Sequence, residues 1–165
     1  MMKLILIVRH AKSSWSSPSL SDFDRPLNDR GKRDAPEMAR RLKEKRIIPD
    51  LLVSSTAVRA LSTARYFAEG FGIAQNKIME VPSLYHAPAS VFYETLASIP
   101  DDKGFETIAL FSHNPGITAF VNDLELATID NMPTCGVFGF RAKTDSWKDV
   151  ADAEKSFWFF DAPKL

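Results

Sequence analysis

Two runs of large apolar residues stand out along the chain, and each is followed closely by a histidine. Leu4–Val8 consists of aliphatic residues without alternation, and a second apolar run covers Thr107–Ser112. Continuous runs of this length predict strands that are buried on both faces, as inside a parallel sheet. His10 and His113 come after these runs. We therefore expect both imidazoles at the carboxyl edge of one sheet, where open α/β sheets bind their ligands.

Helical periodicity separates the predicted strands. After Asn28, which is a suitable N-cap, apolar residues recur at three- and four-residue spacing as far as Leu42. Pro36 lies inside this pattern and predicts either a kink or a later start of the helix. A second helix is predicted after the candidate caps Ser54–Thr56, and a third around Phe92 and Leu96. A fourth is predicted after Asn114 as the cap, with Pro115 at the first helical position.

Shorter apolar segments complete the predicted sheet. They are Leu51–Val53, Lys77–Val81, Val137–Arg141 and Phe157–Phe160. The last two are expected to pair antiparallel across the polar turn near Asp145. The alternation of strands and helices predicts an α/β fold, a three-layer α/β/α sandwich with a mostly parallel central sheet. The 165 residues contain no repeat or linker, so we expect residues 1–165 to form a single domain.

The charge balance and the cysteine content narrow the classes of partner and location. The chain has 21 basic and 21 acidic residues, and a formal net charge of zero argues against binding of nucleic acid or an anionic membrane. Cys135 is the only cysteine, so no internal disulfide can form and a reducing compartment fits. The first apolar run is too short for a signal peptide or a membrane span. We expect a cytoplasmic protein; the sequence leaves its oligomeric state open.

Arginines accompany the two histidines at the predicted sheet edge. Arg9 precedes His10, and Arg25 precedes the first helix. Arg59 lies near the start of the second helix, whose side chains lean toward its amino end and hence toward the same edge. The guanidinium fork stays charged and binds two phosphate oxygens at once. Taken singly, each arginine is more often a solvated surface group, but together they predict an anion pocket that needs no metal.

Four separated segments resemble motifs of the histidine phosphatase superfamily, which has the phosphoglycerate-mutase-like fold. They are Arg9–Ser13, Arg25–Asn28 with Gly31, Ser54–Thr63 and Ser112–His113. The second segment and the modest length make the chain more similar to the SixA-type phosphohistidine phosphatases than to the mutases. The resemblance extends from Leu4 to about Leu124.

The resemblance implies a role for each residue of the pocket. His10 is the implied nucleophile, which becomes transiently phosphorylated. The implied phosphoryl-binding residues, most of them catalytic as well, are Arg9, Arg25, Arg59 and His113. Imidazole attacks only in its neutral form, and a cationic cradle stabilises the charge on the transferred group. The resemblance implies no cofactor and no metal.

Two features depart from the family pattern. Ala11 stands where a glycine usually follows the catalytic histidine, so the backbone there has to suit alanine. The loop after the third strand has no carboxylate to protonate a departing alkoxide. His86 is a candidate proton donor in this loop, although a simple loop residue is the plainer interpretation. Asp22 and Asp24 are alternative acids, for which capping or pairing with Arg25 is the plainer role.

The missing acid bears on the substrate. An imidazole leaving group, with a reference pKa of about 6.5, needs much less help than an alkoxide. The sequence therefore predicts a metal-independent phosphatase acting on phosphohistidine, in a protein. Two alternatives stay open: a phosphatase of small phosphate esters, with His86 or an aspartate as the acid, and a module that only binds phosphate or a phosphorylated partner. Trp15 and Phe157–Phe160 are candidates for a recognition surface, although packing in the core is the simpler interpretation.

Overall fold

The computed structural model describes residues 1–165 and contains a six-stranded sheet and four α-helices. The strands are β1 (Lys3–Arg9), β2 (Leu51–Ser54), β3 (Met79–Glu80), β4 (Thr107–Ser112), β5 (Val137–Ala142) and β6 (Lys155–Asp161). The helices are α1 (Asp29–Glu44), α2 (Val58–Phe71), α3 (Ala89–Ala97) and α4 (Gly116–Asp123). No helix among them has both the length and the apolar character that a membrane crossing requires.

The sheet is mostly parallel, as predicted. Its strand order is β3-β2-β4-β1-β5-β6. The pairs β3–β2, β2–β4 and β4–β1 are parallel, whereas β5 pairs antiparallel with both β1 and β6. The predicted antiparallel pairing of the two late strands is therefore confirmed. The carboxyl ends of β1, β2 and β4 come together at one edge, and the segments that follow them build the cleft described below.

Both faces of the sheet are covered by helices, which explains why the first apolar run does not alternate. Ile5 and Ile7 belong to a core that α3 and α4 complete on one face. Leu6 and Val8 belong to a second core, formed with α1 and α2 on the other face. All four side chains are fully buried. Each strand residue therefore removes apolar surface from water, and the three-layer prediction is confirmed.

Helix α1 begins where its cap predicts and passes through its proline. The Asn28 side chain accepts a hydrogen bond from the Gly31 N–H at 2.9 Å, which satisfies one of the free amides of the first turn. The helix is continuous through Pro36, so a later start is wrong. Pro36 is exposed, whereas Ala35 and Met38 are fully buried. Tertiary burial of the apolar side thus outweighs the loss of one backbone hydrogen bond.

Two other helix starts differ from the prediction by a few residues. The N-cap position of α2 is Ala57, and the Ser55 hydroxyl accepts from the Ala57 N–H at 3.2 Å. The N-cap position of α4 is Pro115 rather than Asn114. The Asn114 carboxamide oxygen still accepts from the Thr118 N–H at 3.3 Å, so its side chain caps the helix from one residue further out.

The third strand is shorter than predicted. Only Met79 and Glu80 pair with β2, whereas the prediction covered Lys77–Val81. Gln75–Lys77 forms a turn of 3-10 helix, and a second such turn begins at Pro82. Proline lacks the backbone donor that a longer ladder would need, so the strand ends before it.

Candidate active site

The register of β1 and β4 brings the two predicted histidines together. Arg9 pairs with Ser112 in the parallel ladder, so the next residues along both strands become neighbours. The His10 N–H donates to the Ser112 carbonyl at 3.2 Å, and the rings of His10 and His113 lie 5.2 Å apart between centroids. Both residues are buried. The sheet backbone therefore fixes the positions of both imidazoles.

His10 is held with one ring nitrogen protonated and the other unprotonated. Its Nδ1 lies 2.8 Å from the Ala11 carbonyl oxygen, and because a carbonyl only accepts, Nδ1 carries the proton. The Arg59 Nε–H points at Nε2 from 3.4 Å. Burial, together with the positive charges of Arg59 and Arg9, lowers the pKa of His10 to about 3. At neutral pH the ring is uncharged, and the Nε2 lone pair faces the cleft.

His113 is neutral for similar reasons. Its Nε2 lies 2.8 Å from the Ser55 hydroxyl. Ser55 comes directly after β2, and its N–H donates to the Phe111 carbonyl of β4, which fixes its position. Burial, followed by the neighbouring His10 and Arg59, lowers the pKa of His113 to about 3. Its Nδ1 is buried and has no hydrogen-bond partner. A buried polar atom without a partner is uncommon in folded proteins, and His113 is one of the residues that line the cleft.

Arg59 reaches the strand ends from the second residue of α2. Its Nη1 donates to the Asp22 carbonyl oxygen at 2.6 Å and its Nη2 to the Asp22 carboxylate at 3.0 Å. One turn further along α2, the Thr63 hydroxyl accepts from the Ala11 N–H at 3.0 Å. This helix therefore supplies both a guanidinium for the cleft and a support for the segment after β1.

Arg9 and Arg25 are held by different segments of the chain. Arg9 donates through Nη1 to the Met132 carbonyl at 2.8 Å, and its buried Nε has no partner. Arg25 donates through Nε to the Ser14 carbonyl at 3.1 Å and through Nη2 to the Ser13 hydroxyl. Both guanidinium groups keep N–H donors free for an anion, because each carries five.

Asp22 is the carboxylate of the cleft. It accepts hydrogen bonds from Tyr85 at 2.6 Å, from Arg25 at 2.9 Å and from Arg59 at 3.0 Å. The Tyr85 hydroxyl first, and then the two guanidinium groups, hold the pKa of Asp22 well below its usual range. The predicted pairing with Arg25 is thus observed. Asp24 instead accepts from the Ser21 hydroxyl and does not line the cleft.

Tyr85, which contacts Asp22 and His113 of the cleft, is a residue that sequence reasoning missed. It lies in the loop after β3, which has no carboxylate, but a phenol is not a conventional proton donor there and no sequence spacing links it to Asp22. In the fold its ring packs edge-on against Phe23 at 5.1 Å and against His113 at 5.4 Å. Burial, and then the neighbouring Asp22 carboxylate, raises the pKa of Tyr85, so the phenol keeps its proton.

His86 lies at the mouth of the cleft. Its side chain is 65% exposed, and its Nε2 is 3.8 Å from the Asp22 carboxylate. Its backbone has a φ of 56°, in the left-handed region that few residues other than glycine adopt. The ring packs on Tyr85 with 4.0 Å between centroids. His86 is therefore within reach of a substrate that enters the cleft.

The structure also answers two questions about the loop after β1. Ala11 is fully buried and does not have a positive φ, so alanine fits in place of the family's usual glycine.

Trp15 is 73% exposed, so core packing is wrong for this residue. Its indole covers the Arg25 guanidinium at 3.2 Å, beside the cleft. In the late aromatic segment, Trp158 and Phe159 pack against the core beside α1 and α2.

All five predicted pocket residues line one cleft, together with His86. The lining residues are Arg9, His10, Lys12, Ser13, Trp15, Asp22, Arg25, Arg59, His86, His113, Asn114 and Thr134. Cations outnumber the single carboxylate, so the cleft suits a phosphate-sized anion beside His10. No group of three or more histidine, cysteine, aspartate or glutamate side chains in the protein is arranged to hold a metal ion.

Comparison with known proteins gives the family. The sequence model of the histidine phosphatase superfamily (branch 1) matches residues 5–82. A chloroplastic protein of Arabidopsis thaliana, itself uncharacterized, is 30% identical over 152 residues, which are 88% of this chain and 69% of that protein. The chain belongs to the histidine phosphatase superfamily.

Solved structures give the branch of the fold. A structure from Agrobacterium tumefaciens described as the phosphohistidine phosphatase SixA has a TM-score of 0.78 and 26% identity, over 98% of this chain and 99% of that one. SixA complexed with tungstate has a TM-score of 0.82 and 18% identity, over 98% and 97% of the two chains. The predicted phosphoglycerate-mutase-like fold and SixA-type resemblance are confirmed, and the protein is a phosphatase of this superfamily.

The mutases of the superfamily match less of the chain. Phosphoglycerate mutase 1 of Saccharomyces cerevisiae is 38% identical over 70 residues, which are 41% of this chain. Those residues are 28% of the mutase. The shared segment therefore carries the family likeness without the remaining parts of the mutase.

Proposed function

We propose that the protein is a metal-independent phosphatase that works through a phosphohistidine on His10 and removes phosphate from phosphohistidine in a protein. The observation that carries the proposal is the state of His10. Its ring is neutral, its Nδ1–H is fixed on the Ala11 carbonyl, and its Nε2 lone pair faces a group of guanidinium ions. A nucleophilic imidazole requires this arrangement.

In the first step, Nε2 of His10 attacks phosphorus and the bond from phosphorus to the leaving nitrogen of the substrate breaks. If the substrate ring carries a proton, it departs as neutral imidazole, and no further proton is needed. His10 then bears the phosphoryl group and one positive charge, which the Nδ1–H bond to the Ala11 carbonyl stabilises. The arginines and His113 bind the three outer oxygens, where the negative charge lies.

In the second step, water attacks phosphorus and the bond to Nε2 breaks. The lone pair returns to Nε2, so His10 is again neutral with its proton on Nδ1. Both hydrogens of the water leave with the product as dihydrogen phosphate. Charge and protons balance, and no other group has to be regenerated.

The choice of phosphohistidine over a phosphate ester is supported by the acid–base groups of the cleft. Asp22 is the only carboxylate that lines it, and its lowered pKa keeps it ionised. An alkoxide leaving group would find no carboxylic acid to protonate it, whereas imidazole needs none. The cleft is also open at Trp15 and His86, which leaves room for a protein loop.

A second candidate function is hydrolysis of small phosphate esters with His86 as proton donor. The position of His86 at the mouth of the cleft favours it. Under this alternative, His86→Gln lowers turnover of alkyl phosphates by about 10²–10⁴-fold, the usual contribution of a general acid. Under the first proposal, the same variant leaves release of phosphate from phosphohistidine nearly unchanged.

The test compares a histidine-phosphorylated protein with a panel of alkyl and aryl phosphates, with release of inorganic phosphate as the readout. We expect faster turnover of phosphohistidine, and a rapid quench that traps an acid-labile phosphoryl adduct absent from His10→Ala. Fast turnover of esters without any release from phosphohistidine contradicts the substrate assignment. Phosphate binding without turnover of any substrate identifies a binding module instead. A cytoplasmic location stays a prediction, to be checked by fractionation.

A further inference from the structure

Asp22 has no part in the reaction proposed above, yet its carboxylate accepts three hydrogen bonds, from two arginines and a tyrosine. One carboxylate oxygen accepts from Arg25 at 2.9 Å. The other accepts from Arg59 at 3.0 Å and from the Tyr85 hydroxyl at 2.6 Å. Its backbone carbonyl accepts from Arg59 as well, at 2.6 Å. A single residue therefore holds two of the arginines that are proposed to bind phosphate.

The N–H donors of Arg59 have two different partners. The two terminal nitrogens both bind Asp22, through the carbonyl and the carboxylate. The Nε–H makes no contact with Asp22 and points at Nε2 of His10 from 3.4 Å. Two simultaneous bonds at the terminal end leave the planar group little freedom to rotate. Asp22 thus directs the remaining N–H donors of Arg59 toward the atom that is proposed to attack phosphorus.

The charge of Asp22 matters for the same reason. Arg9, Arg25 and Arg59 bring three positive charges to one cleft, and like charges at short range repel one another. The carboxylate lies between Arg25 and Arg59 and binds one with each oxygen. Without it, the two guanidinium groups would be expected to move apart when no anion is bound.

We propose that Asp22 is a positioning residue of the phosphatase reaction, which bridges Arg25 and Arg59 and aims the Nε–H of Arg59 at the phosphoryl group on its way to His10. The inference rests on the proposed function. It differs from two other roles for the same side chain. A proton donor would act on the leaving group, and a competing internal anion would have to be displaced by the substrate.

The deciding experiment measures kcat and KM of Asp22→Asn with phosphohistidine, an aryl phosphate and an alkyl phosphate, whose leaving groups differ widely in pKa. Asparagine keeps the shape but turns an N–H donor toward a guanidinium. We expect kcat/KM to fall by about 10–100-fold, as displacements of catalytic groups by about 1 Å do, with most of the loss in kcat. The fold-loss is the same for all three substrates, because positioning acts on the phosphoryl group.

Binding of two anions provides an independent readout. Orthovanadate adopts the geometry of the transferring phosphoryl group, whereas inorganic phosphate resembles the product. We expect Asp22→Asn to weaken orthovanadate by about 10–100-fold and inorganic phosphate by much less. Loss of fold stability alone would not separate the two anions. The thermal midpoint is measured for each variant, and Asp22, with a side chain that is 40% exposed, is expected to tolerate the change.

Two further variants serve as controls. Asp24→Asn removes the same charge from the same 3-10 turn, but that carboxylate accepts from Ser21 and not from an arginine. It is expected to change kcat/KM by less than about twofold, since it has none of the contacts on which the inference rests. Tyr85→Phe removes one of the hydrogen bonds to Asp22 and leaves the arginine bridge in place. Its loss is expected to be smaller than that of Asp22→Asn.

Each other outcome points to a different role. Tighter anion binding and a lower KM in Asp22→Asn identify a competing anion and overturn the inference. A loss that grows with the pKa of the leaving group identifies a proton donor and overturns it as well, as does an unchanged kcat/KM. If the wild-type protein turns over no phosphoryl substrate, the proposed function fails, and the anion affinities alone then decide whether Asp22 organises the arginines.

Discussion

The cleft has a floor and a wall that are built by different means. The floor consists of Arg9, His10 and His113 at the ends of β1 and β4, where backbone hydrogen bonds of the sheet set each position. The wall consists of the segment Ser13–Arg25 with Tyr85 and His86, where side chains mainly hold one another. In the floor His10 and His113 are buried and Arg9 is half-buried, whereas Trp15 and His86 in the wall are largely exposed. We therefore expect the floor to supply the nucleophile, Asp22 and Arg25 in the wall to organise the cations around it, and the exposed part of the wall to meet the substrate first.

Arg59 connects the two regions, so its removal should have the largest effect. Arg59→Ala is expected to weaken orthovanadate by about 10–100-fold, because charged hydrogen bonds of about 1.5–3 kcal/mol are lost. Isothermal titration calorimetry measures the affinity. The matched control is Arg65→Ala, an exposed arginine six residues later on α2 and outside the cleft. Equal affinities for the two variants would remove Arg59 from the anion site.

The two histidines of the floor should ionise far below the usual pH. Burial holds the pKa of His10 and His113 to about 3 in the folded protein, against 6.5 in an unfolded chain. Between those values the unfolded chain binds protons that the folded one does not. Stability therefore falls as the pH is lowered from 6.5 toward 3, by up to about 1.4 kcal/mol per pH unit for each ring. Above pH 6.5 neither state is protonated, and this effect disappears.

NMR titration of the ring signals in the ligand-free protein checks the ionisation directly. The rings are assigned from the signals that vanish in His10→Ala and His113→Ala. Both are expected to remain in the neutral form at pH 5. A midpoint between pH 6 and 7 for His10 would mean that the floor is more open to water than the structure indicates.

Gly31 lets α1 pack closely against Lys12, the residue that precedes the wall. A Cβ on Gly31 would collide with the Lys12 carbonyl, because α1 packs closely against the segment after β1 at this point. Gly31→Ala is therefore expected to destabilise the fold by about 1–3 kcal/mol, as overpacking does, measured by urea unfolding. Lys32→Ala, an exposed change on the next residue of the same helix, should stay within about 0.5 kcal/mol. Similar values for both variants would contradict the close approach.

The smallest effect is expected at the outer edge of the wall. Trp15→Ala removes the indole from the Arg25 guanidinium, and cation–π contacts at exposed sites contribute about 0.5–1 kcal/mol. We expect KM to rise by about two- to fivefold with kcat unchanged. Leu20→Ala, which truncates another exposed side chain of the same segment, is the control. A large loss of kcat in Trp15→Ala would show that the exposed edge of the wall, and not only Asp22, organises the chemistry.

Sequence reasoning predicted the floor better than the wall, and the reason is physical. An apolar run without alternation predicts a strand that is buried on both faces, so the ends of β1 and β4 and their histidines were found directly. Asp22 and Tyr85 are 63 residues apart and meet through a 2.6 Å hydrogen bond between two loops. No local period predicts such a contact. Core packing is the wrong prediction for Trp15: a large apolar side chain usually lies in the core, whereas this indole packs on the Arg25 guanidinium beside the cleft.

Helix boundaries show the same division. Asn28 was recognised as a cap because the capping bond is local. Pro36 was expected to disturb α1, yet the helix continues through it because its apolar side packs on the sheet and on α2. That packing involves residues distant in the chain, so the local rule could not include it.

The amino-acid sequence by itself determined which segments become strands, which residues can carry phosphoryl chemistry and, through four ordered motifs, the family. Those features depend on neighbours a few residues apart, whose hydrophobic spacing and capping act within one element. Only the tertiary structure decided that the Nε2 of His10 faces the cleft, that both floor histidines stay uncharged and that Asp22 bridges two arginines. Burial and charge pairing depend on groups that are distant in the chain, so they are present only in the folded protein.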